Sequence, residues 1–160
     1  MSGAVPRSPR DSYTEMTEIV LPQHANALGT AFGGTVLSWI DVCAAVVAQR
    51  HCGRIAVTAA IDDVQFLAPL HVGDVVRLFG RVNGAFARSV EVEVTVERED
   101  AATRARCLCA DALLTFVPVD PLGRPMPVPP LLAENDDDRR RATEAAERRA
   151  RRLERKRTSR

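Results

Sequence analysis

Hydrophobic and polar positions change their spacing along the chain, and the change predicts one long helix followed by strands. From Phe32 to His51 the apolar residues cover nearly every face of a helix, which is typical of a helix wrapped on all sides. Tyr13–Pro22 alternates as a first strand. Period-two alternation after the helix predicts four further strands, at Ile55–Pro69, His71–Asn83, Arg88–Asp100 and Arg104–Asp120. Short turns separate these four, so we expect an antiparallel meander.

These elements predict an α+β domain over residues 13–132, with an antiparallel sheet of about five strands wrapped around one long central helix. The acidic pair Asp62-Asp63 interrupts the strand after the helix, and we expect a bend there. An open sheet leaves its edge strands unpaired. Edge-to-edge pairing in a dimer would cover them.

The two ends of the chain differ from this domain in composition. Residues 1–12 are rich in Pro, Ser and Arg, and we expect them to be disordered. Residues 133–160 form a charged basic tail that is helical or disordered. Residues 1–135 carry 11 Arg against 15 acidic residues, whereas residues 136–160 carry 11 basic against 6 acidic residues. No aromatic residue lies among these basic side chains, so a solvated helix is favoured over a nucleic-acid contact.

The cysteines and the apolar segments bear on whether the protein binds a metal, is secreted or spans a membrane. None of the cysteines belongs to a C-x-x-C pair and no histidine cluster accompanies them, so we expect reduced thiols and no metal site. The N-terminus lacks the apolar core of a signal peptide, and the run Thr35–Ala48 is too short to cross a bilayer. These features indicate a cytoplasmic protein. The four cysteines are Cys43, Cys52, Cys107 and Cys109.

The central helix has two unusual features, a Gly33-Gly34 pair at its start and the carboxylate of Asp41 two turns inside. The first N–H groups of a helix lack intrahelical partners and can stabilise an oxyanion, although the glycines could equally serve close helix–strand packing. A buried carboxylate is costly unless it is hydrogen-bonded or functional. Asp41 is therefore either a catalytic group or a polar side chain satisfied at a kink or a subunit contact.

A set of spaced motifs between Glu18 and Pro129 resembles the hotdog-fold acyl-CoA thioesterases of the cytosolic acyl-CoA hydrolase type. The motifs occur in the family order, and together they are far more specific than any one alone. They are Asn26 before G-x-x-F-G-G, Asp41 in the helix, Thr58 in the next strand, F-x-x-P-x-x-x-G-D from Phe66 to Asp74, and F-V-x-V-D from Phe116 to Asp120.

This resemblance implies a hotdog fold and the hydrolysis of acyl-CoA to a carboxylic acid and CoA. It implies a homodimer with sites shared between subunits, often within a trimer of dimers. Asp41 would be the base or nucleophile, Asn26 and Thr58 would position water and substrate, and the N–H of Gly34 would stabilise the oxyanion. The reaction needs no metal or redox cofactor, because CoA is part of the substrate.

The turn before the Val/Glu strand is where the chain departs from the family. Many bacterial members carry Gly-Arg-Ser/Thr-Ser there. In an ungapped alignment Ser89 takes the place of the family serine, Phe86 replaces the family glycine, and Arg88 is displaced by one position. The resemblance implies that Arg88 and Ser89 contact CoA.

Two other functions are alternatives to hydrolysis. A hotdog hydratase needs a catalytic histidine in the helix or loop, and the helix has no histidine before His51. A non-catalytic acyl-CoA-binding protein is the second alternative. Regulators of that kind carry a helix-turn-helix, for which residues 1–12 offer no space and the tail is too charged.

Overall fold

The structure is a computed structural model that describes residues 3–159. Five strands form one antiparallel sheet, and a long helix lies against one of its faces. The strands are β1 (Thr14–Ile19), β2 (Ala56–Phe66), β3 (Val75–Ala85), β4 (Val90–Glu99) and β5 (Arg106–Pro118). The helices are α1 (Pro9–Ser12), α2 (Gly33–Cys52) and α3 (Asp136–Thr158), with a 3-10 turn at Pro22–His24.

Helix α2 packs one face against the inner face of the sheet. The apolar pattern predicts burial on all sides, but Val42 on the other face is 52% exposed in the single chain. Val90, Val92, Val94 and Val96 alternate inward along β4 and are fully buried beneath α2. On β3, Gly80 allows the close approach, because a Cβ there would lie 2.7 Å from Val47 Cγ2. The α+β architecture with about five strands around one central helix is confirmed.

The strand order differs from the predicted meander. Only β3, β4 and β5 are neighbours in chain order, and the full order is β1-β3-β4-β5-β2. Strand β2 pairs with β5 at the far edge, and β1 takes the place beside β3. The segment between β2 and β3 crosses the start of α2, where the N–H of Ala31 donates to Leu70 O at 2.7 Å. Side-chain alternation sets which face of a strand is buried but not which strand lies beside it.

Strand β2 bends at the predicted place. Its pairing with β5 shifts register between Asp62 and Gln65. Asp63 has a φ of 46°, in the left-handed region that Asp and Asn tolerate better than most residues. As an edge strand, β2 has backbone groups on one side that no strand of the described chain pairs.

The N-terminal segment is ordered where disorder was expected. Residues 9–12 form helix α1, with Ser8 as its N-cap and Asp11 completing a capping box. The Arg7 guanidinium donates to the carbonyl oxygens of Arg50 at 2.9 Å and His51 at 2.7 Å, and so caps the C-terminal end of α2. The expectation for residues 1–12 was therefore wrong over residues 7–12, because polar side chains supply local caps. Met1 and Ser2 lie outside the described residues.

The C-terminal tail is helical and packs across the outer face of the sheet. Ala145 of α3 is fully buried, and a Cβ on Gly84 of β3 would lie 2.8 Å from the Ala145 Cβ. Asn135 caps the helix by accepting from the Asp138 N–H. Acidic residues at its start and basic residues at its end match the helix dipole. Within residues 3–159, no helix has the length and hydrophobicity that a membrane span requires.

Candidate active site

Asp41 and Thr58 meet where α2 passes beside the edge strand β2. The Thr58 hydroxyl donates a hydrogen bond to Asp41 Oδ1 at 2.7 Å. In the single chain Asp41 is half-buried and Thr58 is exposed. Across residues 3–159, no other hydrogen bond and no cationic side chain reaches this carboxylate. The second oxygen of Asp41 can therefore accept a hydrogen bond from water or approach an electrophile.

The first turn of α2 is open at its N-terminal end. Phe32 is the N-cap and supplies no side-chain hydrogen bond, and the described residues place no acceptor on the N–H groups of Gly33 or Gly34. A Cβ on Gly34 would meet no atom within 4 Å, whereas one on Gly33 would lie 3.5 Å from Phe66 Cζ. Gly34 thus borders open space at the positive end of the helix, and Gly33 packs against an aromatic ring.

Gly34 and Asp41 lie on the same side of α2 but far apart along it. Seven residues separate them, which is about 10 Å along the axis at 1.5 Å per residue. A group attacking a carbonyl carbon and a donor binding its oxygen must both lie about 3 Å from the reacting atoms. The geometry therefore disfavours a site in which Gly34 and Asp41 of one chain act on the same carbonyl.

Asn26 lies at the Gly34 end of the helix rather than beside Asp41. Its Oδ1 accepts from the N–H groups of Leu28 at 2.9 Å and Thr30 at 3.2 Å, and its Nδ2 lies 2.8 Å from Thr30 Oγ1. Within this chain the amide shapes its own loop, in the way that loop asparagines commonly do. The structure brings Asp41 and Thr58 together and leaves Asn26 and Gly34 as a separate pair at the helix start.

Arg88 and Ser89 lie in the tight turn between β3 and β4. The Phe86 N–H donates to Ser89 O at 2.8 Å and closes this turn. Arg88 is exposed and Ser89 is half-buried. Neither contacts Asp41 or Thr58 within the chain, so the turn is a separate surface on which a long substrate could extend.

An apolar cavity beside the helix start was not foreseen from the sequence. Its volume is about 300 Å³, and it opens next to Gly33 under the end of β2. The F-x-x-P motif was the available signal, because Phe66 and Pro69 both line this space. The remaining lining residues are Thr30, Ala31, Val36, Leu67, Ala68, Leu70, Cys109 and Ala110.

Residues 3–159 contain no cluster of three or more His, Cys, Asp or Glu side chains that could hold a metal ion. All four cysteines are free, and Cys107 is exposed while the other three are buried. Burial raises the pKa of Cys43 and of Cys52 to about 11, so both thiols stay protonated at neutral pH.

Comparison with known proteins places this geometry in a family. The family model of the thioesterase superfamily matches residues 28–105. The uncharacterized acyl-CoA thioester hydrolase YkhA of Bacillus subtilis is 40% identical over 129 residues, which cover 81% of this chain and 75% of that protein. Mammalian relatives are longer: the chain spans 24% of mouse acyl-coenzyme A thioesterase 11, at 38% identity.

Solved structures of similar proteins have the same fold as this protein over nearly its whole chain. An apo-hexameric acyl-CoA thioesterase is 38% identical with a TM-score of 0.89, covering 94% of this chain and 97% of that one. An acyl-CoA hydrolase from Staphylococcus aureus, solved in complex with butyryl coenzyme A, coenzyme A and coenzyme A disulfide, is 36% identical with a TM-score of 0.85, covering 95% of both chains.

Single alanine variants of the Staphylococcus hydrolase have also been solved, at an aspartate, an asparagine and a threonine. In that protein the asparagine precedes the aspartate by 15 positions and the threonine follows it by 17. Asn26, Asp41 and Thr58 have the same spacing here. By sequence, by fold and by the spacing of these three residues, the chain belongs to the acyl-CoA thioester hydrolases of the hotdog-fold thioesterase superfamily.

Proposed function

We propose that this protein hydrolyses acyl-CoA thioesters to a carboxylic acid and CoA, with Asp41 as the central catalytic residue. The observation that carries the proposal is the 2.7 Å hydrogen bond that Thr58 donates to Asp41. No cationic side chain within residues 3–159 neutralises the carboxylate of Asp41. Thr58 occupies one carboxylate oxygen and orients the group. The other oxygen remains to accept a proton from water.

The thioester carbonyl needs hydrogen-bond donors where its charge develops, and the open N–H of Gly34 supplies one. Asn26, at the same end of α2, supplies an amide that can orient the carbonyl or the water. Because Gly34 lies about 10 Å along the helix from Asp41 of its own chain, we place Asn26 and Gly34 of one subunit against Asp41 and Thr58 of another.

This shared site requires a homodimer, and the surface around Asp41 supports one. Val42 on α2 and Val57 on β2 directly adjoin the Asp41–Thr58 pair in sequence and are 52% and 46% exposed in the single chain. Apolar side chains on an unpaired edge strand are typical of an interface. We propose a trimer of dimers, in line with the hexameric relative.

The substrate divides into two parts, for which the chain has two separate surfaces. The apolar cavity beside Gly33 is suited to the acyl group, since its lining is mostly aliphatic and aromatic. The exposed turn with Arg88 and Ser89 is suited to the phosphates of CoA, because guanidinium groups bind phosphate with two parallel hydrogen bonds. The reaction uses water and side chains, and it calls for no cofactor.

Release of free thiol from a panel of acyl-CoAs of different chain length tests the proposal. We expect turnover by the wild type and a loss of about 10³-fold or more in Asp41→Asn, because the base or nucleophile is removed. Asp63→Asn is the control: it removes an exposed carboxylate away from Thr58, and the positive φ of Asp63 suits asparagine. Equal rates in Asp41→Asn and wild type would reject the role of Asp41. Tight CoA binding without any turnover would favour the non-catalytic alternative.

The two roles open to Asp41 leave different isotope patterns. A general base delivers solvent oxygen directly to the product acid. A nucleophile forms an anhydride, and water attacking its aspartyl carbonyl leaves solvent oxygen in the protein. Label in the peptide with Asp41 after a single turnover in ¹⁸O-water, detected by mass analysis, would identify Asp41 as the nucleophile. Either role would use the carboxylate oxygen that the Thr58 hydrogen bond leaves free.

A further inference from the structure

Helix α3 is held against the turn between β3 and β4, the turn proposed to bind CoA. Gly84, at the end of β3, has no side chain, and Ala145 of α3 fills the space above it. A Cβ on Gly84 would lie 2.8 Å from Ala145 Cβ, which leaves no room for it, and 3.2 Å from Phe86 Cζ, so that the ring would have to shift. The register of α3 on this turn is therefore fixed by close packing.

One helical turn after Ala145, Arg149 reaches the aromatic ring in that turn. Its guanidinium carbon lies 5.0 Å from the centroid of Phe86, within the range of a cation–π interaction. Phe86 is the aromatic residue of this turn and lies directly after the end of β3. The ring thus provides a platform that holds one arginine of α3 at the CoA turn.

Arg149 has no counterion within residues 3–159, in contrast to Arg148 and Arg152 on the same helix. Arg148 pairs with Glu91 at 2.6 Å, and Arg152 pairs with Asp62 at 3.0 Å. Neither Arg149 nor Arg88 has a carboxylate within ion-pair distance anywhere in residues 3–159. The two uncompensated guanidinium groups are brought to the same turn, Arg88 by its own backbone and Arg149 by α3.

We propose that Arg149 is a substrate-binding residue that contacts a phosphate of the CoA nucleotide together with Arg88. An arginine stacked on a ring is already ordered, so it loses less conformational freedom on binding an anion than a free side chain does. Its charge is available because no carboxylate of the described chain neutralises it. This inference rests on the proposed function and assigns α3 to the substrate site.

The test compares Arg149→Gln with Arg151→Gln, a matched control two residues along the same helix, which is exposed and has no ion pair within residues 3–159. Each variant is assayed on an acyl-CoA and on the same acyl group as an N-acetylcysteamine thioester, which has no phosphate. For Arg149→Gln we expect KM for acyl-CoA to rise about tenfold, as for the loss of one charge-assisted hydrogen bond, with kcat unchanged. KM for the phosphate-free thioester stays at the wild-type value, and Arg151→Gln behaves as wild type.

Equal changes on the two thioesters, or no change on either, would overturn the inference. Equal changes would show that Arg149 acts only through the shape of the turn. Arg149→Lys restores the charge and should recover part of the KM for acyl-CoA. Calorimetric titration with CoA itself gives a reading that does not depend on turnover. If the wild type hydrolysed neither thioester, the proposed function would fail, and the CoA titration would still test the phosphate contact. Tenfold weaker CoA binding by Arg149→Gln would support that contact, and unchanged CoA binding would refute it.

Discussion

Arg148 of α3 forms a hydrogen-bonded ion pair with Glu91 of β4. Its Nη2 lies 2.6 Å from Oε1, and its Nε lies 3.2 Å from both carboxylate oxygens. Glu91 is only 2% exposed, so this carboxylate depends on its partner across the outer face of the sheet. The hydrogen bond and the charge of Glu91 raise the pKa of Arg148. The C-terminal helix is therefore a structural part of the domain.

Removing Arg148 should destabilise the protein strongly. In Arg148→Met the apolar stem remains but Glu91 is left buried without its cation, and breaking such a pair costs about 3 kcal/mol or more. Urea unfolding measures the free energy. Arg139→Met is the control, since Arg139 is exposed and its one ion pair within residues 3–159 is with Asp136 on its own helix. An unfolding free energy close to wild type in Arg148→Met would mean that α3 contributes little to the fold.

Mixing two inactive variants should restore activity if the site is shared. In a dimer of one Asn26→Ala chain and one Asp41→Asn chain, one site carries both substitutions and the other carries neither. Random assortment of equal amounts should then recover about a quarter of wild-type activity, since half the dimers are mixed and each has one intact site. The thiol-release rate after co-expression measures it. No recovery in verified mixed dimers would place Asn26 and Asp41 of one chain in the same site.

Gly34→Ala should separate stability from activity. A Cβ at this position meets no atom within 4 Å, and alanine favours a helix over glycine by roughly 0.5–1 kcal/mol, so the variant should be at least as stable as wild type. The same methyl group enters the space that the substrate carbonyl needs, and we expect kcat to fall about tenfold or more. Ser38→Ala, at an exposed position one turn along, should change neither quantity. A fully active Gly34→Ala would remove Gly34 from the oxyanion site.

His51 should make the fold sensitive to acid. Burial lowers the pKa of His51 in the folded protein from its usual 6.5. Its Nε2 donates to Pro129 O at 2.9 Å, and its Nδ1 is buried with no partner in the described chain, so a second proton would find no acceptor. Below about pH 6.5 the unfolded chain takes up a proton that the folded chain resists, and the free energy of unfolding therefore falls as the pH drops. The loss is complete once the pH is below the folded-state pKa.

Urea unfolding between pH 8 and pH 5 checks this dependence, with His71→Gln as a control because His71 is exposed. His51→Gln keeps a side-chain donor for Pro129 but cannot titrate, so its free energy of unfolding should change less between those limits than that of wild type. The same slope in His51→Gln and wild type would assign the acid sensitivity to other groups.

The sequence was sufficient for the central helix and the five strands, because each is encoded by local spacing. Asp41 stood out as a carboxylate inside an apolar helix, whereas Thr58 was named only by the motifs of the resembled family. The hydrogen bond between Thr58 and Asp41 joins α2 to β2, the strand that follows α2 directly in the chain. The position of β2 beside β5 could not be predicted, since strand pairing depends on contacts between distant residues. The burial of Ala145 was equally hidden, because the apolar stripe that the sequence predicts on this helix is Ala142, Ala146, Ala150 and Leu153. The structure leaves the last three exposed and buries Ala145, which lies outside that stripe.

Arg7 has a practical meaning for anyone handling this protein. Its guanidinium closes the C-terminal end of the helix that carries Asp41, and its backbone pairs with the segment at Pro130 and Leu132. Truncating the chain beyond Arg7, or fusing a purification tag directly to Arg7, would disturb this cap and destabilise the C-terminal end of α2. Expression vectors should therefore place a flexible spacer before the chain and leave its first dozen residues intact.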